Sequence, residues 1–164
     1  MSIKIGIIGC GGIANQKHLP ALRNQAHRAE LVAFCDLIPA RAEKAAAEYG
    51  APGAKTYTDY HDLLADQAIE VVHVLTPNVS HCEISVAALE AGKHVMCEKP
   101  MAATVEDAKR IMDAYQRSGK LFTIGYQNRF RPEVQNLKKA CDKGELGDIY
   151  YGKAHAIRRR GVPT

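Results

Sequence analysis

A chain of 164 residues with 46% hydrophobic and 24% charged residues has the composition of a folded globular domain, which excludes a disordered segment. Its formal net charge is only +4, Trp is absent, and the basic residues are scattered apart from the run Arg158–Arg160. This composition argues against a nucleic-acid partner, which would require a clustered basic face with stacking aromatic side chains.

The five cysteines form no C-x-x-C pair and show no zinc-ligand spacing with histidine. We therefore expect reduced, buried thiols, a cytoplasmic location and no metal site. No apolar run approaches the ~20 residues of a membrane-spanning helix, and the first residues do not resemble a secretory signal. Hence we expect no membrane partner.

Short apolar runs alternate along the chain with segments of helical periodicity. In chain order, we predict a strand at 3–8, a helix at 14–25 that Pro20 kinks or restarts, a strand at 29–36, a helix at 39–50, an extended piece at 54–59, a helix at 60–66, a strand at 69–77, a helix at 80–93, a strand at 94–100, a helix at 104–120 with Thr104 as N-cap, and a strand at 121–127. This alternation predicts an α/β fold, a doubly wound parallel sheet with helices on both faces.

The alternation ends after that last strand. We predict one more helix at 132–147, followed by a half-exposed strand at 148–160 that has no partner in the chain.

A glycine-rich stretch, GCGGIA at residues 9–14, connects the first predicted strand to the first helix. In this setting Gly9 permits a tight turn, Gly11 lets the backbone approach a pyrophosphate, and Ala14 allows the helix to pack closely on the strand. The N-terminus of the helix would attract the phosphates. The alternative is a structural turn that needs small residues.

Asp36 ends the second predicted strand, about 20 residues beyond the glycine turn, where a carboxylate accepts hydrogen bonds from an adenosine ribose. A carboxylate there favours NAD and repels the 2′-phosphate of NADP, although Arg41 keeps NADP as an option. Asp36 can instead cap the helix that begins at Pro39. Together, the turn and the carboxylate predict a Rossmann-type dinucleotide-binding domain.

The stretch CEKP places Glu98, Lys99 and Pro100 at the carboxyl end of a predicted strand, where open parallel sheets bind their ligands. An ammonium group there can hydrogen-bond a hydroxyl or carbonyl oxygen and stabilise alkoxide character during hydride transfer. Pro100 forces Lys99 out of helical geometry and can hold a cis bond. From the physics alone, a surface lysine before a turn proline is the simpler alternative.

Five motifs in this order, GCGGIA, CD after the second strand, TPN at 76–78, AGKHVMCEKPMA and GYQNRF, resemble the glucose–fructose oxidoreductase, inositol dehydrogenase and MocA family. The resemblance implies an NAD(P)-binding domain at 1–121. At 122–164 it implies the last Rossmann strand, a helix and the start of a C-terminal domain for substrate binding and oligomerisation. It further implies an enzyme that transfers a hydride between NAD, or NADP, and a sugar or cyclitol hydroxyl, and that forms a homo-oligomer.

By position, the resemblance makes Lys99 the catalytic lysine and places Glu98 beside the nicotinamide ribose. It leaves His18 either structural or near the pyrophosphate. The residues that the motifs and the resemblance together assign to the cofactor are Gly9, Gly11, Gly12, Ile13, Ala14, Asp36, Arg41, Thr76, Pro77, Asn78, His81, Glu98, Lys99, Gln127, Asn128 and Arg129.

One family motif does not occur in the 164 residues: the D-x-x-x-H motif, whose histidine serves the family as general acid and base. A positioned acid or base contributes typically 10²–10⁴-fold in rate. We therefore expect this chain to bind the cofactor with little or no turnover. The alternatives are a non-catalytic dinucleotide-binding module and an assembly piece that uses its unpaired strand.

Overall fold

The computed structural model describes residues 2–157 of the chain. It divides into two compact units between Tyr126 and Gln127.

The first unit is built around a six-stranded sheet. Its strands are β1 Ile3–Ile8, β2 Ala29–Cys35, β3 Lys55–Tyr57, β4 Val71–Val74, β5 His94–Cys97 and β6 Phe122–Ile124. All neighbouring strands pair in parallel, in the order β3-β2-β1-β4-β5-β6. The strand order reverses between β1 and β4, and ligands of such sheets bind outside the carboxyl ends at that point. The predicted doubly wound parallel sheet is confirmed.

Helices connect the strands of this sheet. They are α1 Leu19–Arg23, α2 Pro39–Tyr49, α3 Tyr60–Ala65, α4 His81–Glu90 and α5 Val105–Ser118. A π-helical turn, Ala14–His18, leads directly into α1, and a 3₁₀ turn, Asn78–Ser80, leads into α4. The change from π to α geometry falls next to Pro20, where the sequence predicts an interruption because proline lacks a backbone N–H.

Helix α5 shows how local sequence sets the ends of these helices. The Thr104 side chain accepts a hydrogen bond from the Asp107 N–H, as its predicted role of N-cap requires. At the other end Gly119 adopts a left-handed φ of 64°, which glycine tolerates without steric cost.

Two hydrophobic clusters lie on opposite faces of the sheet. Helices α3, α4 and α5 pack on one face, where the buried residues include Leu63, Val72, Val74, Leu89, Val95 and Ala114. The π-helical turn, α1 and α2 pack on the other, where they include Ile7, Ala14, Leu19, Leu31, Phe34 and Ala42. Since both faces are covered, the strands form the continuous apolar runs seen in the sequence.

The second unit contains a 3₁₀ turn, Gln127–Phe130, and helix α6, Pro132–Asp142. The predicted strand at 148–160 is not paired over its described part, 148–157, and positions 158–160 lie outside the described residues. The physical reason is that a strand gains stability only when a neighbour pairs with its backbone, and no described segment does so.

The five cysteines are all in the described part; they are free thiols and four of them are buried. Within residues 2–157, none of the helices has the length and apolarity required to cross a membrane.

Candidate functional site

Four segments that the sequence assigns to a ligand meet at one edge of the sheet. Because every strand is parallel, Gly9 after β1, Asp36 after β2, Thr76 after β4 and Glu98 after β5 all lie at the carboxyl ends. This edge is the general ligand-binding position of open α/β sheets.

Gly9 and Gly11 fill different roles in the glycine turn. Gly9 has a φ of 94°, and a Cβ there would lie 2.8 Å from the carbonyl carbon of Leu75 at the end of β4. Only glycine fits that position, whether or not a ligand is present. A Cβ on Gly11 would meet nothing within 4 Å, so the fold itself does not require glycine there. Ala14 is fully buried against the sheet, as predicted for close packing.

Asn15 stabilises the turn, a residue that the sequence analysis did not identify. Its side-chain Nδ2 donates to the carbonyl oxygens of Cys10 at 2.7 Å and of Gly11 at 2.8 Å. A polar amide in the first helical turn after a glycine-rich loop was the available signal, because such side chains often bond nearby backbone groups.

A cavity of about 290 Å³ opens in front of the turn. Its lining residues are Cys10, Gly11, Gly12, Asn15, Arg41 and Lys44. Burial, with the neighbouring Asp36 charge, raises the pKa of the Cys10 thiol to about 12, so this side chain adds no negative charge.

The residues around this cavity fit a pyrophosphate. Arg41 and Lys44 supply two positive charges, and the first N–H groups of the helical run after Gly11 have no carbonyl partner inside the helix. The open space at Gly11 allows the close approach of an anionic group.

Asp36 is fixed by two backbone groups. Its Oδ2 accepts from the Cys10 N–H and its Oδ1 accepts from the Ile38 N–H, both at 2.9 Å. The N-cap position of α2 belongs to Ile38, so Asp36 does not cap that helix in the expected way. A carboxylate offers about four lone-pair sites, which leaves capacity for further donors. Leu37 beside it is 89% exposed, an unusual exposure for a large apolar side chain.

His81 connects the loop after β4 to the turn after β5. It is 1% exposed; its Nε2 lies 2.9 Å from the Thr76 carbonyl oxygen, and its Nδ1 lies 2.7 Å from the Pro100 carbonyl oxygen. The loop is further held by the Ser80 hydroxyl, 2.8 Å from both Thr76 Oγ1 and the Pro77 carbonyl oxygen. The imidazole is thus buried beneath these two backbone segments.

Glu98 and Lys99 follow β5 directly. Glu98 is 6% exposed; its Oε2 accepts from the Lys99 N–H at 2.9 Å, and its Oε1 lies 2.8 Å from His18 Nε2. Lys99 is exposed at the sheet edge, and the Lys99–Pro100 bond is cis, as the sequence allows.

The last four candidates lie in two places. Gln127, Asn128 and Arg129 lie in the second unit, on its 3₁₀ turn, where the Arg129 carbonyl accepts from the Gln135 side chain. Ile13 is partly exposed in the glycine turn. Among the described residues, no group of three or more His, Cys, Asp or Glu side chains is arranged to hold a metal ion.

Comparison with known proteins identifies a protein family that matches this chain. Residues 3–126 match the family model described as "Oxidoreductase family, NAD-binding Rossmann fold". The chain is 43% identical over 148 residues to inositol 2-dehydrogenase of Salmonella typhimurium, covering 90% of this chain and 44% of that protein. D-glucoside 3-dehydrogenase of Escherichia coli is 39% identical over 163 residues, covering 98% and 45%.

A solved structure is similar over nearly the whole of this chain. The WlbA dehydrogenase from Bordetella pertussis, in complex with NADH and UDP-GlcNAcA, superposes with a TM-score of 0.85 at 35% identity, covering 91% of this chain and 42% of that one. The chain therefore spans less than half the length of these relatives.

Proposed function

Because the chain belongs to the oxidoreductase family with an NAD-binding Rossmann fold, we propose that it forms the cofactor-binding part of an NAD(P)-dependent dehydrogenase. The reaction is hydride transfer between the nicotinamide and a CH–OH group of a sugar or cyclitol. The main support for this proposal is that the glycine turn with its cationic cavity, Asp36 and Lys99 all lie at one edge of the sheet. The inositol and glucoside dehydrogenases among the relatives support the substrate class.

The adenosine half of the cofactor lies between β1 and β2 in this proposal. Gly11, Gly12 and Ile13 receive the pyrophosphate, with Arg41 and Lys44 beside it. The Asp36 carboxylate accepts from the adenosine ribose hydroxyls through the lone pairs that Cys10 and Ile38 leave free. The exposed Leu37 offers an apolar surface to the adenine. This arrangement favours NAD, and Arg41 leaves NADP possible.

The nicotinamide half lies between β4 and β5. Thr76, Pro77 and Asn78 form one wall, and Glu98 hydrogen-bonds the nicotinamide ribose. His81 acts on the cofactor through the two backbone segments whose carbonyl oxygens its ring nitrogens face. The resemblance by itself assigns Gln127, Asn128 and Arg129 of the second unit to the cofactor.

Lys99 is the residue that contacts the reacting oxygen. The bound cofactor supplies the hydride acceptor or donor. The Lys99 ammonium group hydrogen-bonds the substrate oxygen and stabilises its negative charge as the hydride leaves carbon. The hydroxyl proton must pass to a base, and the D-x-x-x-H motif that supplies this base in the family does not occur in the 164 residues.

Two further properties belong to this proposal. The protein works in the cytoplasm, which the free cysteines support, because disulfides are rare in reducing compartments. The dehydrogenase forms a homo-oligomer. The alternative function is a dinucleotide-binding module without chemistry, which the absence of the D-x-x-x-H motif favours for the 164 residues by themselves.

The test compares this chain with a protein that carries the same residues followed by a complete second domain. NADH binding is measured by fluorescence titration, and NAD⁺ reduction is followed with inositols and glucosides. We expect both proteins to bind NADH, only the longer one to turn over, and Lys99→Ala to abolish turnover while NADH still binds. Turnover by the longer protein that survives Lys99→Ala, or failure of both proteins to bind NADH, would contradict the proposal.

A further inference from the structure

A contact between a partly buried histidine and a buried carboxylate connects the first helical segment to the end of β5. His18 Nε2 and Glu98 Oε1 are 2.8 Å apart, and the two side chains are 12% and 7% exposed. The two residues are 80 positions apart in the sequence. A carboxylate that is removed from water is costly unless charged or hydrogen-bonding partners surround it, so this contact fixes where the Glu98 carboxylate can lie.

The neighbours of Glu98 leave it little freedom. Its other oxygen accepts from the Lys99 N–H at 2.9 Å. On a further side is Gly125, where a Cβ would come within 3.2 Å of Glu98 Oε1 and 3.1 Å of Met96 Cε. The carboxylate therefore occupies a fitted position, with one oxygen on His18 and the other on the lysine backbone.

The π-helical turn brings His18 to this position. His18 is the last residue of the turn Ala14–His18. A π turn holds an extra residue, which rotates the residues that follow by roughly 100° relative to a continuous α-helix. The same turn begins beside the glycine loop, so one short segment connects that loop to Glu98.

His73 on β4 packs against the His18 ring and limits its orientation. The two imidazole rings meet edge to face, with centroids 5.8 Å apart and planes at 89°. Burial, with a smaller effect of His18, lowers the pKa of His73 to about 4, so His73 is neutral at pH 7. His73 therefore brings no positive charge next to the contact between His18 and Glu98.

We infer that His18 is a positioning residue for the nicotinamide half of the cofactor: it holds Glu98 where the carboxylate can accept from the nicotinamide ribose. This inference rests on the proposed function, since it takes Glu98 as the group that meets that ribose. A purely structural contact would instead stabilise the fold, and its loss would weaken the binding of both halves of the cofactor equally.

The experiment uses ligands that separate the two halves. NADH contains both, whereas ADP lacks the nicotinamide and the ribose attached to it. Two variants form a matched polar pair. In His18→Gln the side-chain amide nitrogen can reach Glu98 about as far as the histidine Nε2 does, whereas the shorter side chain of His18→Asn cannot reach Glu98. Each variant of the 164-residue chain is titrated with both ligands, and its thermal stability and the emission of bound NADH are recorded.

We expect His18→Asn to weaken NADH binding about tenfold, the usual scale for losing a hydrogen bond to a charged group. Its affinity for ADP should stay near the wild-type value. His18→Gln should restore most of the NADH affinity. In a Glu98→Gln background, His18→Asn should add little, because the two residues act as one unit.

Other outcomes overturn the inference. Equal weakening of NADH and ADP binding, unchanged NADH binding in a folded His18→Asn variant, or additive effects with Glu98→Gln would each make the pair a structural contact. A wild-type chain that binds neither ligand would refute the proposed function and the inference together. A wild-type chain that binds both, with no difference between Asn and Gln at position 18, would refute only the inference.

Discussion

At the scale of single residues, Asp36 shows how one side chain can serve the fold and a ligand together. Its carboxylate fixes the glycine turn through the Cys10 N–H and keeps acceptor sites for a ribose. We predict that Asp36→Ala weakens NADH binding more than NADPH binding, since a carboxylate helps a ribose hydroxyl but repels a 2′-phosphate. The measurement is the pair of dissociation constants, with thermal stability as the control. An equal loss for both cofactors would reduce Asp36 to a support of the turn.

Residue by residue, the sequence predicts a candidate site wherever its signal is local. The glycine turn, Asp36 and Lys99 each follow an apolar run, so their place at the sheet edge was predictable. The contact of His18 with Glu98 was not, because it joins residues 80 positions apart through a π turn. Asn15 was missed for a different reason: its place in the first helical turn after the glycine loop was the available signal, but helical periodicity by itself does not separate an amide that bonds a preceding loop from one that faces water.

At the scale of elements, Asp66 ties the short edge strand β3 to the loop before β4. It accepts from Lys55 Nζ at 2.7 Å and from the Tyr57 hydroxyl at 3.1 Å. Its backbone carbonyl accepts from the buried Lys93 Nζ at 2.8 Å. The hydrogen bond from Lys55, followed by that from the Ala68 N–H, lowers the pKa of Asp66 from 3.8 to about 2.

This contact predicts a dependence of stability on pH. A carboxyl whose pKa is depressed by folding stabilises the fold above its unfolded pKa and loses that contribution as pH falls through the folded value. We expect the free energy of unfolding of wild type to exceed that of Asp66→Asn at pH 7, and the difference to shrink between about pH 4 and pH 2. Urea denaturation of both chains across that range measures it. A difference that does not change with pH would contradict the prediction.

Most elements of the fold were predictable because buried parallel strands and amphipathic helices leave different apolar periods. Their ends were less predictable. The strand predicted at 69–77 is a regular strand only over Val71–Val74, although Ile69 and Leu75 are buried as well and the Leu75 N–H still donates to the Ile8 carbonyl oxygen. Burial and backbone pairing are separate conditions, and the sequence reports mainly the first. The segment 148–157 forms no strand, although its sequence alternates, and this agrees with the expectation that it has no partner in the chain.

At the scale of the whole molecule, the segment 148–157 has no regular secondary structure, and the backbone of its alternating sequence pairs with no described strand. Such a segment is a template for β-pairing, and a two-fold contact between copies needs only one self-complementary surface. We predict that the chain associates through this segment. Deleting residues 148–164 should then give a monomer in sedimentation with its NADH affinity intact, because the glycine turn and Asp36 lie in the first unit. An unchanged oligomer after deletion would contradict this.

The central claim is that the glycine turn binds a pyrophosphate and is not only a structural turn. Gly11→Ala tests it most directly, because the added Cβ would meet nothing within 4 Å in the protein. The variant should therefore melt like wild type, yet its methyl group would fill the space that the phosphates need. Calorimetric titration with NADH should show binding weakened at least about tenfold, or about 1.4 kcal/mol. Wild-type NADH affinity in a folded Gly11→Ala variant would contradict the account.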